Sequence, residues 1–191
     1  FSALMPSATV NDLINRDIAP EGAVGVNDNG EYIDADGNVV SVQGGKASIG
    51  PAVSGDAATR GVLDLIARYE SGGDYNLRNG GSRADLINMT IEQVLEMQGR
   101  FRTWPGAASS ASGRYQYIRS TLREMADRMN LDIRTVKFDQ RTQDAIAIAD
   151  LRRRCKLDDW LAGKIDDGTF MNLISRVWAG IPNTSGRSTY A

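Results

Sequence analysis

The spacing of hydrophobic positions changes once along the chain, near residue 57. Beyond it, Val62, Leu63, Ile66 and Tyr69 recur every three or four residues, the spacing of one buried stripe on a helix. The stripe runs into Tyr69-Glu70-Ser71-Gly72-Gly73, which predicts a helix ending on Glu70 directly before a glycine loop. After a polar loop through Ser82, Thr90-Ile91-Glu92-Gln93 has the composition of a capping box, and Gly99 is placed to close the short helix it opens. Trp104 to Gly113 is a Pro, Gly and Ser loop. Ser120 is the expected cap of the next helix, whose face carries Leu122, Met125, Ala126 and Met129 and which ends at Asn130. Asp139 caps another, running through Ile146 and Ala149 from core to surface over Asp150 to Arg154. Phe170, Leu173, Ile174, Val177 and Trp178 define a last amphipathic helix, stopped by Pro182. The sum is an α+β domain, mainly helical, with a small β element expected in the loops between its first helices.

Residues 1–57 read as an N-terminal extension ahead of a domain over 58–191. Glu31-Tyr32-Ile33-Asp34 and Asn38-Val39-Val40-Ser41-Val42 flank Ala35-Asp36-Gly37, where Asp-Gly supplies the positive φ of a tight hairpin turn. Asp34, Asp36 and Asn38 alternate as in a calcium loop, but Gly37 is out of order and the closing glutamate is missing, so the turn is the better account. Gly44 to Gly55 then has the composition of a flexible linker.

Composition narrows the chemistry. The 191 residues are 41% hydrophobic, enough for one core, and 22 basic against 24 acidic residues give a net charge of −2 that selects no nucleic-acid partner. Arg152-Arg153-Arg154 leaves a local basic patch open. The chain has no histidine and a single cysteine, Cys155, which excludes Ser-His-Asp and Cys-His catalysis, histidine-ligated zinc and an internal disulfide. No metal or cofactor is expected. Carboxylates, amides, hydroxyls and cations remain, the inventory of glycosidic-bond cleavage. No apolar run approaches the roughly twenty residues of a membrane span, and Phe1-Ser2-Ala3-Leu4-Met5 lacks the charged flank of a secretory signal.

Two segments could carry such chemistry. Glu70 sits beside the stripe at a helix C-terminus, where the edge of the core and the helix dipole both raise a carboxyl's pKa toward the range of a general acid. The plainer reading is a solvated helix end with Gly72 closing the turn. In Ser109-Ser110-Ala111-Ser112-Gly113-Arg114-Tyr115-Gln116-Tyr117, small residues allow close approach to a ligand, while Tyr115 and Gln116 offer a stacking face and an amide. The plainer reading there is a short strand burying Tyr115 and Tyr117 on one face.

Over about Gly61 to Pro182 the chain resembles the lambda-phage endolysin family of lytic transglycosylases, which have a lysozyme-like fold. The resemblance rests on Glu70 closing the first domain helix, Ser112-Gly113-Arg114-Tyr115-Gln116, Gln143-Asp144-Ala145 in a later helix, and Val177-Trp178-Ala179-Gly180-Ile181-Pro182. It implies that Glu70 is the single catalytic acid and base, cleaving between N-acetylmuramic acid and N-acetylglucosamine with closure of a 1,6-anhydro ring. Ser71, Tyr115, Gln116 and Tyr190 carry over as substrate-binding residues, and Arg114 as a cleft cation or structural anchor, the anchor being preferred. Asp144 is expected to meet a helix dipole, and Trp178 to lie in the core. The chain departs from the family at both ends: it carries residues 1–57, and family members continue through a further helix past the Pro182 region. The extension suits docking of a wall-degrading enzyme to a tail or ejection protein of the virion, with action in the bacterial periplasm.

Two other readings compete. A hydrolytic muramidase would pair Glu70 with Asp74 or Asp85 at about 5 Å for retention or 6.5–9.5 Å for inversion. Asp74 reads more simply as a loop cap, and Asp85 as part of a solvated turn. A glycan-binding virion protein would keep the fold without turnover.

Overall fold

In the computed structural model, residues 57–188 are described together with two short strands, β1 (Gly25–Val26) and β2 (Tyr32–Ile33). The strands pair antiparallel, Gly25 opposite Ile33 and Val26 opposite Tyr32. β2 falls in the expected first arm of the hairpin; the turn at Ala35-Asp36-Gly37, the second arm and the linker lie outside the described residues, as does Tyr190.

The rest is mainly helical, with six α-helices among the described residues: α1 (Ala57–Glu70), α2 (Ile91–Gly99), α3 (Arg119–Arg128), α4 (Gln140–Cys155), α5 (Leu157–Leu161) and α6 (Asp167–Val177). The loops between α1 and α3 carry isolated antiparallel bridges, Leu77 with Arg83, Arg78 with Ser112 and Ser112 with Tyr117, and Thr90 bridges to Lys137 beyond α3. The expected β element is therefore a set of stitches rather than a sheet. Each helix contributes its apolar face to one core, and the largest fully buried side chains include Ile66, Leu86, Ile91, Met125, Ile146, Phe170 and Ile174.

Local capping explains several boundaries. Thr90 accepts from the Gln93 N–H at 3.3 Å while the Gln93 side chain accepts from the Thr90 N–H at 2.8 Å, so the capping box opens α2 as expected and Gly99 ends it. Asp139 accepts from the Thr142 N–H at 2.9 Å and opens α4. Asp139→Ala is expected to cost about 1 kcal/mol, measured as a lower denaturant midpoint at constant slope.

Three expectations need correction. Ser120 does not cap α3, which starts one residue earlier; its Arg119 N–H donates 3.0 Å to the hydroxyl of Ser110, reaching in from the preceding loop. Tyr69 does not belong to the buried stripe of α1. The buried face runs through Thr59, Val62, Leu63, Ile66 and Ala67, and Tyr69 stands on its flank, 49% exposed. The Arg152-Arg153-Arg154 run is not a free basic patch: Arg152 pairs with Asp158 at 3.1 Å, and Arg153 and Arg154 both pair with the fully buried Asp150.

α5 was not foreseen from the sequence. Lys156, in the left-handed region at φ 57°, ends α4 and leads straight into it, and Trp160 of α5 stacks on Phe170 of α6 with ring centroids 4.3 Å apart. Cys155 at the end of α4 is buried, and that burial pushes its thiol up to about 12.

Candidate active site

The end of α1 is built for a turn. Ser71 and Gly73 both donate backbone N–H to the Ala67 carbonyl, at 2.9 and 3.2 Å, and Gly72 and Gly73 take positive φ of 65° and 90°. This geometry leaves Glu70 as the last helical residue, half-buried, on the side of α1 that faces the chain segment after α6. Gly180 of that segment donates its N–H to Glu70 Oε1 at 3.2 Å. A side chain at Gly180 would crowd the acid, since a Cβ there would lie 3.0 Å from the same oxygen. Burial raises the Glu70 carboxyl above its ordinary value, and the Gly180 N–H offsets this only in part. A carboxyl so held keeps its proton to higher pH than one in water, which suits an acid that must donate it.

Beside Glu70, Ser71 does not face outward. Its hydroxyl donates to the Arg114 carbonyl at 2.7 Å and accepts from the Gly73 N–H at 3.2 Å, so it tethers the helix end to the Gly113-Arg114-Tyr115-Gln116 turn. That turn is tight because Gly113 and Gln116 both have positive φ, 81° and 50°. Gln143 of α4 fits underneath: its Oε1 accepts from the Arg114 N–H at 2.8 Å, and its Nε2 donates to the carbonyls of Tyr75 and Phe138.

The turn directs Tyr115 inward, where it is 1% exposed. The expectation that its ring stacks on a sugar fails, because the ring lies in the core and its hydroxyl donates to Asp144 at 2.5 Å. Tyr117 is buried likewise, so the burial expected of a short strand is present, but the segment is a turn and not a strand. Gln116 is half-buried and spends its Nε2 on the carbonyls of Gly113 and Leu77, at 2.8 and 3.3 Å. Arg114 is an anchor in geometry: it reaches Asp64 of α1 at 2.5 Å and the hydroxyls of Tyr75 and Tyr115 at 2.9 and 3.1 Å.

Asp144 lies beyond the first turn of α4, 2% exposed, rather than at the helix start that its expected partnership with the dipole required. It accepts from Tyr75 and Tyr115 and pairs with Arg114 at 3.4 Å. Burial raises its carboxyl, against the Tyr115 hydrogen bond and the Arg114 charge. Both phenols are pushed far up, first by burial and then by the Asp144 charge, so they remain donors. Trp178 is in the core as expected, donating its Nε1 to the Tyr115 carbonyl at 3.1 Å.

Asp74 accepts from the Asn76 N–H at 2.9 Å and pairs with Arg83 at 3.0 Å, while the exposed Asp85 accepts from the Asn88 amide. Each is occupied in its own loop. The structure thus brings together Glu70, Ser71, Arg114, Tyr115 and Gln116. It adds Asp64, Tyr75, Gln143 and Gly180, none of which was singled out for a site role. Gln143 and Gly180 lay inside the recognised motifs, whereas Asp64 and Tyr75 carry no local signal.

Helices around one core, with a half-buried acid between a helix end and a returning loop, make a mainly helical domain with little strand, consistent with the lysozyme-like class. A protein-family model named Endolysin matches residues 61–190. The chain belongs to the Endolysin family, and is accordingly a phage enzyme that degrades peptidoglycan. No curated protein and no solved structure matches it.

Proposed function

We propose that the chain is a lytic transglycosylase acting on the β-1,4 bond between N-acetylmuramic acid and N-acetylglucosamine, with Glu70 as its only catalytic carboxyl. Glu70 gives its proton to the glycosidic oxygen as that oxygen leaves the muramic C1. As a carboxylate it then takes the proton of the muramic 6-hydroxyl, whose oxygen bonds to C1 and closes the 1,6-anhydro ring. No water is consumed.

The observation that carries this reading is the state of the three acids near the end of α1. Glu70 is half-buried, raised and, among the described residues, held by the Gly180 N–H, whereas Asp74 and Asp85 are committed to partners in their own loops. A hydrolase of the two-carboxylate type needs a second acid free to act as base or nucleophile. Ser71, Arg114, Tyr115 and Gln116 enter this reading as the frame of the site rather than as sugar contacts. Residues 58–191 form the catalytic unit and residues 1–57 the extension that docks it to a virion protein, the extension having no part in the chemistry.

Mass spectrometry of muropeptides released from purified cell wall tests the reaction. Anhydromuramic ends are expected; reducing muramic ends would show that water is the nucleophile and would replace the proposal with the muramidase.

A further inference from the structure

We infer that Asp144 is a positioning residue for Glu70, acting through the two carbonyls of Arg114 and Tyr115. The inference rests on the reading of Glu70 as the acid. Two segments flank Glu70: Ser71, next to it in sequence, and the stretch after α6 that supplies the Gly180 N–H. Each is tied to the same dipeptide. The Ser71 hydroxyl donates to the Arg114 carbonyl at 2.7 Å, and the Trp178 indole, two residues before Gly180, donates to the Tyr115 carbonyl at 3.1 Å.

The dipeptide is in turn held by its side chains, and both end on Asp144. Tyr115 donates to Asp144 Oδ1 at 2.5 Å, and the Arg114 guanidinium faces the same oxygen at 3.4 Å. Tyr75, from the loop after α1, donates to the same carboxylate at 3.0 Å. The charged and titratable groups facing Asp144 are therefore Tyr75, Arg114 and Tyr115, with Asp64 of α1 on the far side of the guanidinium. At 2% exposure, the carboxylate has no water to replace a lost partner, so its network holds one arrangement. Among the described residues, the hydrogen-bond and ion-pair partners of Asp144 are Tyr75, Arg114 and Tyr115, and Glu70 is not one of them. Its influence runs through backbone placed on both sides of the acid.

The Asp144→Asn variant keeps the shape but turns an amide N–H toward donors and removes one of the two carboxylates paired with Arg114, leaving Asp64. With Glu70 less well enclosed, its carboxyl gains water and titrates closer to the ordinary value of 4.5. The test follows the Glu70 carboxyl by carbon-13 NMR titration, together with turnover of soluble glycan strands, in wild type, Asp144→Asn and Tyr115→Phe. Expected are a Glu70 midpoint moved down, a kcat lowered about 10- to 100-fold and a KM changed far less. Tyr115→Phe removes one oxygen and is expected to move both quantities in the same direction by less; it decides the matter if Asp144→Asn does not fold. A folded variant whose Glu70 midpoint and kcat both match wild type overturns the inference. If Glu70→Gln retains turnover while the Asp144 variant still shifts the Glu70 midpoint, the assignment of the acid fails and the positioning stands.

Discussion

Glu70→Gln is expected to reduce turnover of purified peptidoglycan by about 100- to 10,000-fold, the usual contribution of a positioned general acid. The substitution is nearly isosteric, and the amide oxygen can still accept the Gly180 N–H, so the loss would report lost proton transfer rather than lost structure. Stability supplies the control, and its sign is fixed by the direction of the shift. Burial raises the Glu70 carboxyl in the folded chain, so folding favours the protonated form. That contribution is complete below the unfolded value near 4.5 and is lost as pH rises through the folded value. Above the folded value the wild type therefore carries a half-buried charge that glutamine lacks. The variant should melt at or slightly above the wild-type temperature while its lytic rate collapses. A variant that retains most of its rate would remove Glu70 from the reaction; one that melts well below wild type would mean the charge stabilises the fold.

Gly113→Ala is expected to be the most damaging small substitution in the turn, at about 2–4 kcal/mol from left-handed strain and overpacking together. The residue sits at φ 81°, and a Cβ there would run into Gln143 Oε1 and come within 2.9 Å of Phe138 Cε1. Gln143 could yield only by giving up the Arg114 N–H it holds at 2.8 Å, so turnover should fall along with stability. Gly72→Ala is the matched comparison, because Gly72 also has positive φ, 65°, yet a Cβ there meets nothing within 4 Å. Denaturant midpoints of the two variants separate strain from crowding. Equal losses would mean that the contact with Gln143 does not matter.

What the sequence revealed divides along the range of the interactions. The box at Thr90 and Gln93, the cap at Asp139 and the termination of α1 at Glu70 all depend on residues within a few positions, and each was readable. The start of α3 was misplaced because its N-cap, Ile118, makes no side-chain cap and its first N–H is held by Ser110, a loop residue no helix pattern points to. Tyr115 was open to misreading for a related reason. An aromatic next to an amide in a small-residue loop has the same composition whether it faces a sugar or anchors a core, and the deciding partner, Asp144, lies 29 residues away. Tyr69 has the right spacing for the stripe but sits on its flank in the last turn, where it stays 49% exposed.

The bond between Gly180 and Glu70 spans 110 residues. A chain emerging from the ribosome presents α1 early, and domains form from the N-terminal side as synthesis proceeds. Until the segment after α6 arrives, Glu70 lacks the Gly180 N–H and the cover that this segment supplies. Synthesis thus delivers the setting of the proposed acid only after α6, and a polypeptide still short of Gly180 has a glutamate at that position but not the contact that holds it.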